Sequence, residues 1–228
     1  MMLAALIFDV DGTLAETEEA HRAAFNRCFL EAGLDWHWSQ ADYAKLLKVT
    51  GGKERMQHHR DACGSGPCDD QIAALHRRKT AIYGDIIHGG GLALRPGIDA
   101  LMGSARAAGL KLAVATTTSR ANVDALTRAC WGRDAAHVFD VIAAGDEVPR
   151  KKPAPDVYDL ALSRLGLPPD QCIALEDSRN GLVSAKGAGL RVLVVPATYT
   201  QDETHDEADW QARSYNAADL PADLRFAG

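Results

Sequence analysis

The run Ala5-Leu6-Ile7-Phe8-Asp9-Val10-Asp11-Gly12-Thr13-Leu14 constrains this chain more than any other stretch. Successive apolar residues with neither alternation nor helical spacing read as a strand buried on both faces. The run then meets two carboxylates one residue apart, and a glycine. In open α/β sheets, ligands collect beyond the carboxyl ends of the strands. Two carboxylates placed there are costly to desolvate unless a cation holds them, and Mg²⁺ accepts carboxylate together with phosphate oxygens. Taken alone, Asp-x-Asp-Gly is also a common turn or surface cation loop, so the rest of the chain has to decide.

Four more short apolar runs read as strands, at 111–115, 138–142, 172–175 and 191–195. They alternate with helical patterns, the signature of a parallel sheet with crossover helices. The first is followed by Thr116-Thr117-Thr118-Ser119, the second by Gly145, the third by Glu176-Asp177 and the last by Pro196. Between 16 and 94 the pattern is helical without a convincing strand, with apolar residues at helical spacing over 21–32, 41–47 and 71–87. Gly89-Gly90-Gly91 and Arg95-Pro96-Gly97 punctuate the return. The expected organisation is an α/β core of 1–15 and 95–228 carrying an inserted helical cap at 16–94. The polar stretch 201–207 reads as a solvated loop before a short closing segment.

Composition bounds the partners. With 228 residues, 46% hydrophobic and 25% charged, the chain can bury a real core and shows no sign of disorder. A net charge of -6 argues against nucleic acid held by general electrostatics. An anionic substrate must therefore be met by locally placed Lys and Arg. The chain enters its first strand by Leu3, which leaves no room for a secretory leader, and no apolar run reaches membrane-span length. Five cysteines, an odd number without a regular framework, suit a reducing compartment. The expectation is a cytoplasmic monomer with a small-molecule partner and neither a nucleic-acid nor a membrane partner.

The strand ends carry the chemistry. Asp9 is the candidate nucleophile, since a carboxylate attacking phosphorus splits one hard displacement into two. Asp11, two residues on, can face the same space as general acid to the leaving oxygen and then as base for water. Thr116 offers donors to a phosphate, and Lys151-Lys152-Pro153 offers a point charge. The chemistry does not separate Lys151 from Lys152. Glu176 and Asp177 add acid at another strand end. Each piece has a plainer reading: β or cap chemistry for the Thr run, an exposed loop for Lys-Lys-Pro, and a helix start with Asp177 or Ser178 capping 179–187. Four such pieces in this order, each after an apolar strand, argue for a site.

In the cap, Gly51-Gly52-Lys53-Glu54-Arg55 places glycines and charge together, and His76-Arg77-Arg78-Lys79 forms a second basic group on a helix. Glu18 and His21 are three apart at the start of the first cap helix. Such clusters suit a second phosphate at the far end of a substrate; the plainer alternative is a set of solvated helix faces. His58, His59, Cys63 and Cys68 can be drawn as a zinc site, but adjacent helical histidines diverge by about 100° and the cysteine spacing is unusual. Trp36-His37-Trp38 reads as packing between cap helices or at the seam with the core. Cys28, Cys130 and Cys172 read as core.

The motifs Asp9-Val10-Asp11-Gly12-Thr13 after an apolar strand and Lys152-Pro153-Ala154-Pro155 resemble the haloacid dehalogenase superfamily, in the subgroup with a small helical cap at this point. The resemblance implies a Rossmann-like parallel-sheet core, Mg²⁺, and an aspartyl-phosphate intermediate on Asp9. It implies Asp9, Asp11 (through its main-chain carbonyl) and Asp177 as metal ligands with Glu176 assisting from behind them, and it selects Lys152 over Lys151. Ala15-Glu16-Thr17-Glu18-Glu19, the Gly51–Arg55 segment, Ala115-Thr116-Thr117-Thr118-Ser119 and Ala144-Gly145-Asp146 further resemble the CbbY proteins of Calvin-cycle operons. Those are xylulose-1,5-bisphosphate phosphatases that remove an inhibitor of Rubisco and yield xylulose 5-phosphate. That likeness implies substrate contacts from Glu18, Gly51 to Arg55, His76 to Lys79, Thr117, Thr118, Ser119, Arg120 and Asn122; His21 joins them from its place beside Glu18. The stretch 56–68 is the least family-like. The alternatives are a β-phosphoglucomutase-like mutase, a generalist sugar phosphatase, and a sugar-phosphate sensor without turnover; a dehalogenase would need neither an acid–base group at Asp11 nor Mg²⁺.

Overall fold

The computed structural model describes residues 2–226. Six parallel strands form one sheet in the order β3-β2-β1-β4-β5-β6. They are β1 (Ala5–Phe8), β2 (Lys111–Ala115), β3 (Val141–Ala143), β4 (Cys172–Glu176), β5 (Arg191–Val194) and β6 (Trp210–Gln211). The strand order reverses between β1 and β4, whose register pairs Phe8 with Leu175. A crevice opens beyond the carboxyl ends of strands at such a reversal. Asp9 directly follows β1 and Glu176 ends β4, so the two meet where a ligand is expected.

Both faces of the sheet are covered, which is why its central strands are continuously apolar. Leu6, Phe8, Leu112, Val114, Ile173 and Leu175 point to one face, packed with α5 (Ile98–Ala107) and α6 (Arg120–Trp131). Ala5, Ile7, Ala113, Ala115, Cys172 and Ala174 point to the other, beneath α8 (Asp156–Leu165) and α9 (Arg179–Gly187). Each fully buried Leu, Ile or Phe contributes roughly 1.5–3 kcal/mol. α7 (Ala135–Val138) is a single short turn on the first of these faces.

The chain divides into two compact units, Met1–Glu16 with Leu92–Gly228, and Thr17–Gly91. The second holds α1 (Glu18–Glu31), α2 (Gln40–Leu46), α3 (Gly52–Cys63) and α4 (Asp69–His88), with no strand among its residues. Its core is aromatic: Trp38 is fully buried, packed on Phe25 and Phe29 at ring-centre distances of 4.7 and 4.8 Å, and its backbone is held by Asn26. Among the described residues, no helix is long and apolar enough to cross a membrane.

Three local readings of the sequence are corrected. Val138 belongs to α7, not to a strand, and β3 starts at Val141. Asp140 exchanges bonds with Leu112 through its carboxylate and its amide, both 2.8 Å, which fixes where the strand begins. The stretch from Gly52 to Cys63, outside the spans assigned helical spacing from the sequence, is the helix α3. Finally, the polar stretch after Thr198 is not merely solvated. Thr200 and His205 are buried, the two-residue β6 closes the sheet edge, and Tyr215, Leu220 and Leu224 join the core.

Candidate active site

The ends of β1 and β4 and the loop that follows β3 meet at one group of charges. Lys152 Nζ lies 2.6 Å from Asp9 Oδ1 and 2.6 Å from Glu176 Oε1, with all three side chains buried. The neighbouring Lys151 turns away and donates to the carbonyl of Gly145. Tyr158, on α8, donates its hydroxyl to the same Glu176 Oε1 at 2.6 Å. Burial and the charges of Glu176 and Asp9 push the Tyr158 hydroxyl well above its ordinary value, so it stays a donor. Burial opposes charge on Lys152, but Asp9 and Glu176 outweigh it and hold the ammonium above its usual range.

Glycines make this crowding possible. Gly12 has φ +83°, and a Cβ there would stand 2.3 Å from Asp177 Oδ2. A side chain at Gly181, in the first turn of α9, would stand 1.9 Å from Glu176 Oε2. Ser178 caps α9 by accepting from the Gly181 amide, so the helix start and β4 are tied together. Thr200, in the turn after β5, also reaches Asp177, its hydroxyl lying 2.7 Å from the Asp177 carbonyl and 3.1 Å from Oδ2. Arg95 clamps the loops on either side, donating to the carbonyls of Gly12, Val195 and Pro196.

The donors suit a hard cation. Asp9, Glu176 and Asp177 each offer a carboxylate oxygen, all within 4.8 Å of one another, and among the described residues this is the one such grouping of acidic, His or Cys side chains. All-oxygen donors at carboxylates match Mg²⁺-type ions. Burial, followed by the charges of Glu176 and Asp11 against the relief from Lys152, raises Asp9 to about 8. The pocket thus carries more negative charge than one ammonium neutralises, which a bound cation would relieve. Glu176 already accepts from Lys152 and Tyr158 through one oxygen, so Asp9 and Asp177 would be the better direct ligands of such an ion. His59 lies 3.7 Å from the Cys63 sulfur, and the zinc grouping with His58 and Cys68 does not form.

Beyond β2, Thr116 is buried and its hydroxyl accepts from the Thr118 amide at 3.2 Å. Thr117, Thr118 and Ser119 are half-buried, and Ser119 caps α6. Asn122, in the first turn of α6, donates to the Thr118 hydroxyl at 2.8 Å. Arg120 is exposed and faces Asp124. Asp11 is half-buried in the turn that follows β1.

The helical unit gathers its own polar group around the Phe25 ring. Arg55 and Lys79 are both buried, with their charges 5.9 and 4.4 Å from the ring centre. Arg55 donates to the Tyr43 hydroxyl, which donates in turn to Glu18 at 2.7 Å. Lys79 Nζ lies 2.7 Å from His21 Nδ1, and the His21 ring stacks on Tyr83. Gly51, at φ +91°, precedes α3 and backs onto the Glu54 carboxylate, while Gly52 packs against His76. Lys53, Arg77 and Arg78 remain exposed, and Arg78 pairs with Glu31. Both cations lie over the Phe25 ring in buried positions, where cation–π attraction is strongest. That distinguishes Arg55 and Lys79 from the exposed basic residues beside them in sequence.

Tyr158, Thr200 and Arg95 escaped the reading of the sequence. Tyr158 sits in the apolar stripe of α8 and looks like core. Thr200 and Arg95 act through contacts to residues 23 and 83 positions away, which no local pattern records.

Comparison with known proteins agrees with this geometry. The model of the haloacid dehalogenase-like hydrolases matches residues 3–189. The chain is 58% identical to Protein CbbY of Rhodobacter capsulatus over 96% of each chain. A crystal structure of CbbY from Rhodobacter sphaeroides in complex with phosphate superposes with a TM-score of 0.94 at 51% identity, covering 98% of this chain and 99% of that one. A mutant of the same protein in complex with xylulose 1,5-bisphosphate gives 0.92 at 52% identity, covering 94% and 96%. The chain belongs to the haloacid dehalogenase-like hydrolases and, within them, to the CbbY proteins, as an enzyme of the phosphatase type.

Proposed function

We propose that this phosphatase is Mg²⁺-dependent and hydrolyses a sugar bisphosphate, xylulose 1,5-bisphosphate, to xylulose 5-phosphate. The observation that carries the chemistry is Asp9: a buried carboxylate at the end of β1, 2.6 Å from Lys152, with Asp11 two residues on. The substrate reading rests on the CbbY mutant bound to that bisphosphate, from a protein 52% identical to this chain.

The two half-reactions follow from the residues. An Asp9 oxygen bonds to phosphorus while the bond from phosphorus to the sugar oxygen breaks, and Asp11 gives that oxygen its proton. Water then attacks the phosphorus of the aspartyl phosphate, Asp11 takes the water's proton, and phosphate leaves with Asp9 restored. Lys152 and the Thr116 loop offset charge on the transferring phosphoryl group. A divalent cation held by Asp9 and Asp177, with the Asp11 carbonyl, would lower the repulsion between the Asp9 carboxylate and the phosphate. Arg55, Lys79 and His21 would meet the second phosphate, with Glu18, held by the buried Tyr43, as a further substrate contact. Exposed Lys53, Arg77 and Arg78 would contribute long-range attraction only.

Removal of a misformed bisphosphate that blocks Rubisco is the physiological role proposed with this substrate. The test is phosphate release with Mg²⁺ from xylulose 1,5-bisphosphate, ribulose 1,5-bisphosphate and glucose 1-phosphate, with the products identified. Strong preference for the xylulose compound, yielding the 5-phosphate, is expected. Equal turnover of many monophosphates, or interconversion of glucose phosphates without release, would overturn the reading.

A further inference from the structure

We infer that Thr200 is a positioning residue of the cation site, acting through Asp177; the inference rests on the reading of Asp177 as a metal ligand. Thr200 is 7% exposed and lies in a tight turn after β5. Its amide donates to the Ala197 carbonyl at 3.0 Å, and its hydroxyl accepts from the Ala197 amide at 2.9 Å. The hydroxyl has one proton, and its two nearest acceptors belong to the same residue, the Asp177 carbonyl at 2.7 Å and Oδ2 at 3.1 Å, ahead of the Ala197 carbonyl at 3.5 Å. Main chain and carboxylate of Asp177 therefore share one donor.

Steric contacts reinforce this. The carboxylate lies flush against Gly12, and the same region of Gly12 meets the Ala197 methyl, with an ideal Cβ 3.1 Å from it. Asp177 Oδ2 thus meets both Gly12 and the Ala197–Thr200 turn. Carboxylate ligands keep their affinity for metal when a neighbouring donor fixes their orientation, and loss of such partners typically costs 10–100-fold. Thr200 would so define which face of the Asp177 carboxylate meets the cation, from a segment remote from every sequence motif of the site.

The test measures divalent-cation affinity of the full chain without substrate, using Mn²⁺ followed by the electron paramagnetic resonance of the free ion. Thr200→Val and Thr200→Ala remove the hydroxyl at two side-chain sizes, so that a folded variant lacking it is available; Thr200→Ser keeps it. Folding of each is checked by circular dichroism. The expected result is about tenfold weaker binding in the Val or Ala variant and near wild-type binding in Thr200→Ser. Folded Val or Ala variants that bind like wild type would overturn the inference, as would a Ser variant as weak as they are. An Asp177→Asn arm separates the premises: if it binds Mn²⁺ as wild type does, Asp177 is not a ligand and the cation-site reading falls as well.

Discussion

Lys152 and Asp9 stand 143 positions apart in the chain and 2.6 Å apart in the fold. The ammonium bridges that carboxylate and Glu176, and a third acid, Asp177, is within reach of both carboxylates. One positive charge among these acids leaves a buried excess of negative charge. Burial raises Asp9 and that imbalance adds to the rise; the two together set much of the expected behaviour of variants.

In the absence of divalent cation, Asp9 holds its proton up to about pH 8, against 3.8 for the ordinary side chain. Between those values the folded state binds more protons than the unfolded state, so stability falls as pH rises through the window. With chelator present, the unfolding free energy from denaturant titration should decline from about pH 5 to about pH 8, by at most about 1.4 kcal/mol per pH unit. In Asp9→Asn this part of the slope should vanish. A wild-type profile parallel to that of the variant would show that Asp9 does not titrate there.

Removing Lys152 should hurt twice. Lys152→Met leaves Asp9 and Glu176 facing each other without compensation, and breaking such a buried pair costs about 3–5 kcal/mol. Turnover should fall by about 10²-fold or more, since charge stabilisation of this kind is lost. The double variant Lys152→Met/Glu176→Gln should recover part of the stability and none of the rate. Denaturant titration with phosphate-release kinetics separates the two; equal losses of stability in single and double variants would contradict the charge account.

Gly12 should tolerate no side chain. At φ +83° an alanine costs about 1–2 kcal/mol from backbone strain alone. Its methyl would also displace the Asp177 carboxylate, so Gly12→Ala should weaken divalent-cation binding along with stability. Calorimetric titration of Mg²⁺ into the variant checks this: unchanged affinity would mean that Asp177 does not depend on this contact.

In the helical unit, Lys79 and Arg55 are the buried cations of the proposed second-phosphate site. Lys79→Met should raise KM for xylulose 1,5-bisphosphate about tenfold or more while leaving the release of phosphate from a small monophosphate nearly unchanged. Arg77→Ala, at an exposed position, should change neither by much. Equal effects of the two substitutions on KM would contradict the distinction drawn from burial.

How legible all this is in the sequence depends on the range of the interactions. Asp9 at the end of β1, the Thr116 run after β2 and the acids at the end of β4 stand out because buried parallel strands are unbroken apolar runs that stop at their polar ends. The third strand is misplaced in such a reading because Val138 and Phe139 are as apolar as a strand, and α7 is too short to show helical period. Lys151 and Lys152 are chemically alike; only the fold sends one to backbone carbonyls and the other to Asp9. Arg55 and Lys79 look no different from Lys53 and Arg78 until the aromatic packing of Phe25, Tyr43 and Tyr83 buries them. Thr200 and Arg95 work across long separations, and nothing near them in sequence marks the partners they hold.

The most direct test is the turnover of xylulose 1,5-bisphosphate by wild type and Asp9→Asn, side by side, with Mg²⁺. Efficient formation of xylulose 5-phosphate by wild type is expected, with a loss of about 10⁴-fold or more in the variant for want of its nucleophile. Comparable turnover by Asp9→Asn would contradict that role of Asp9.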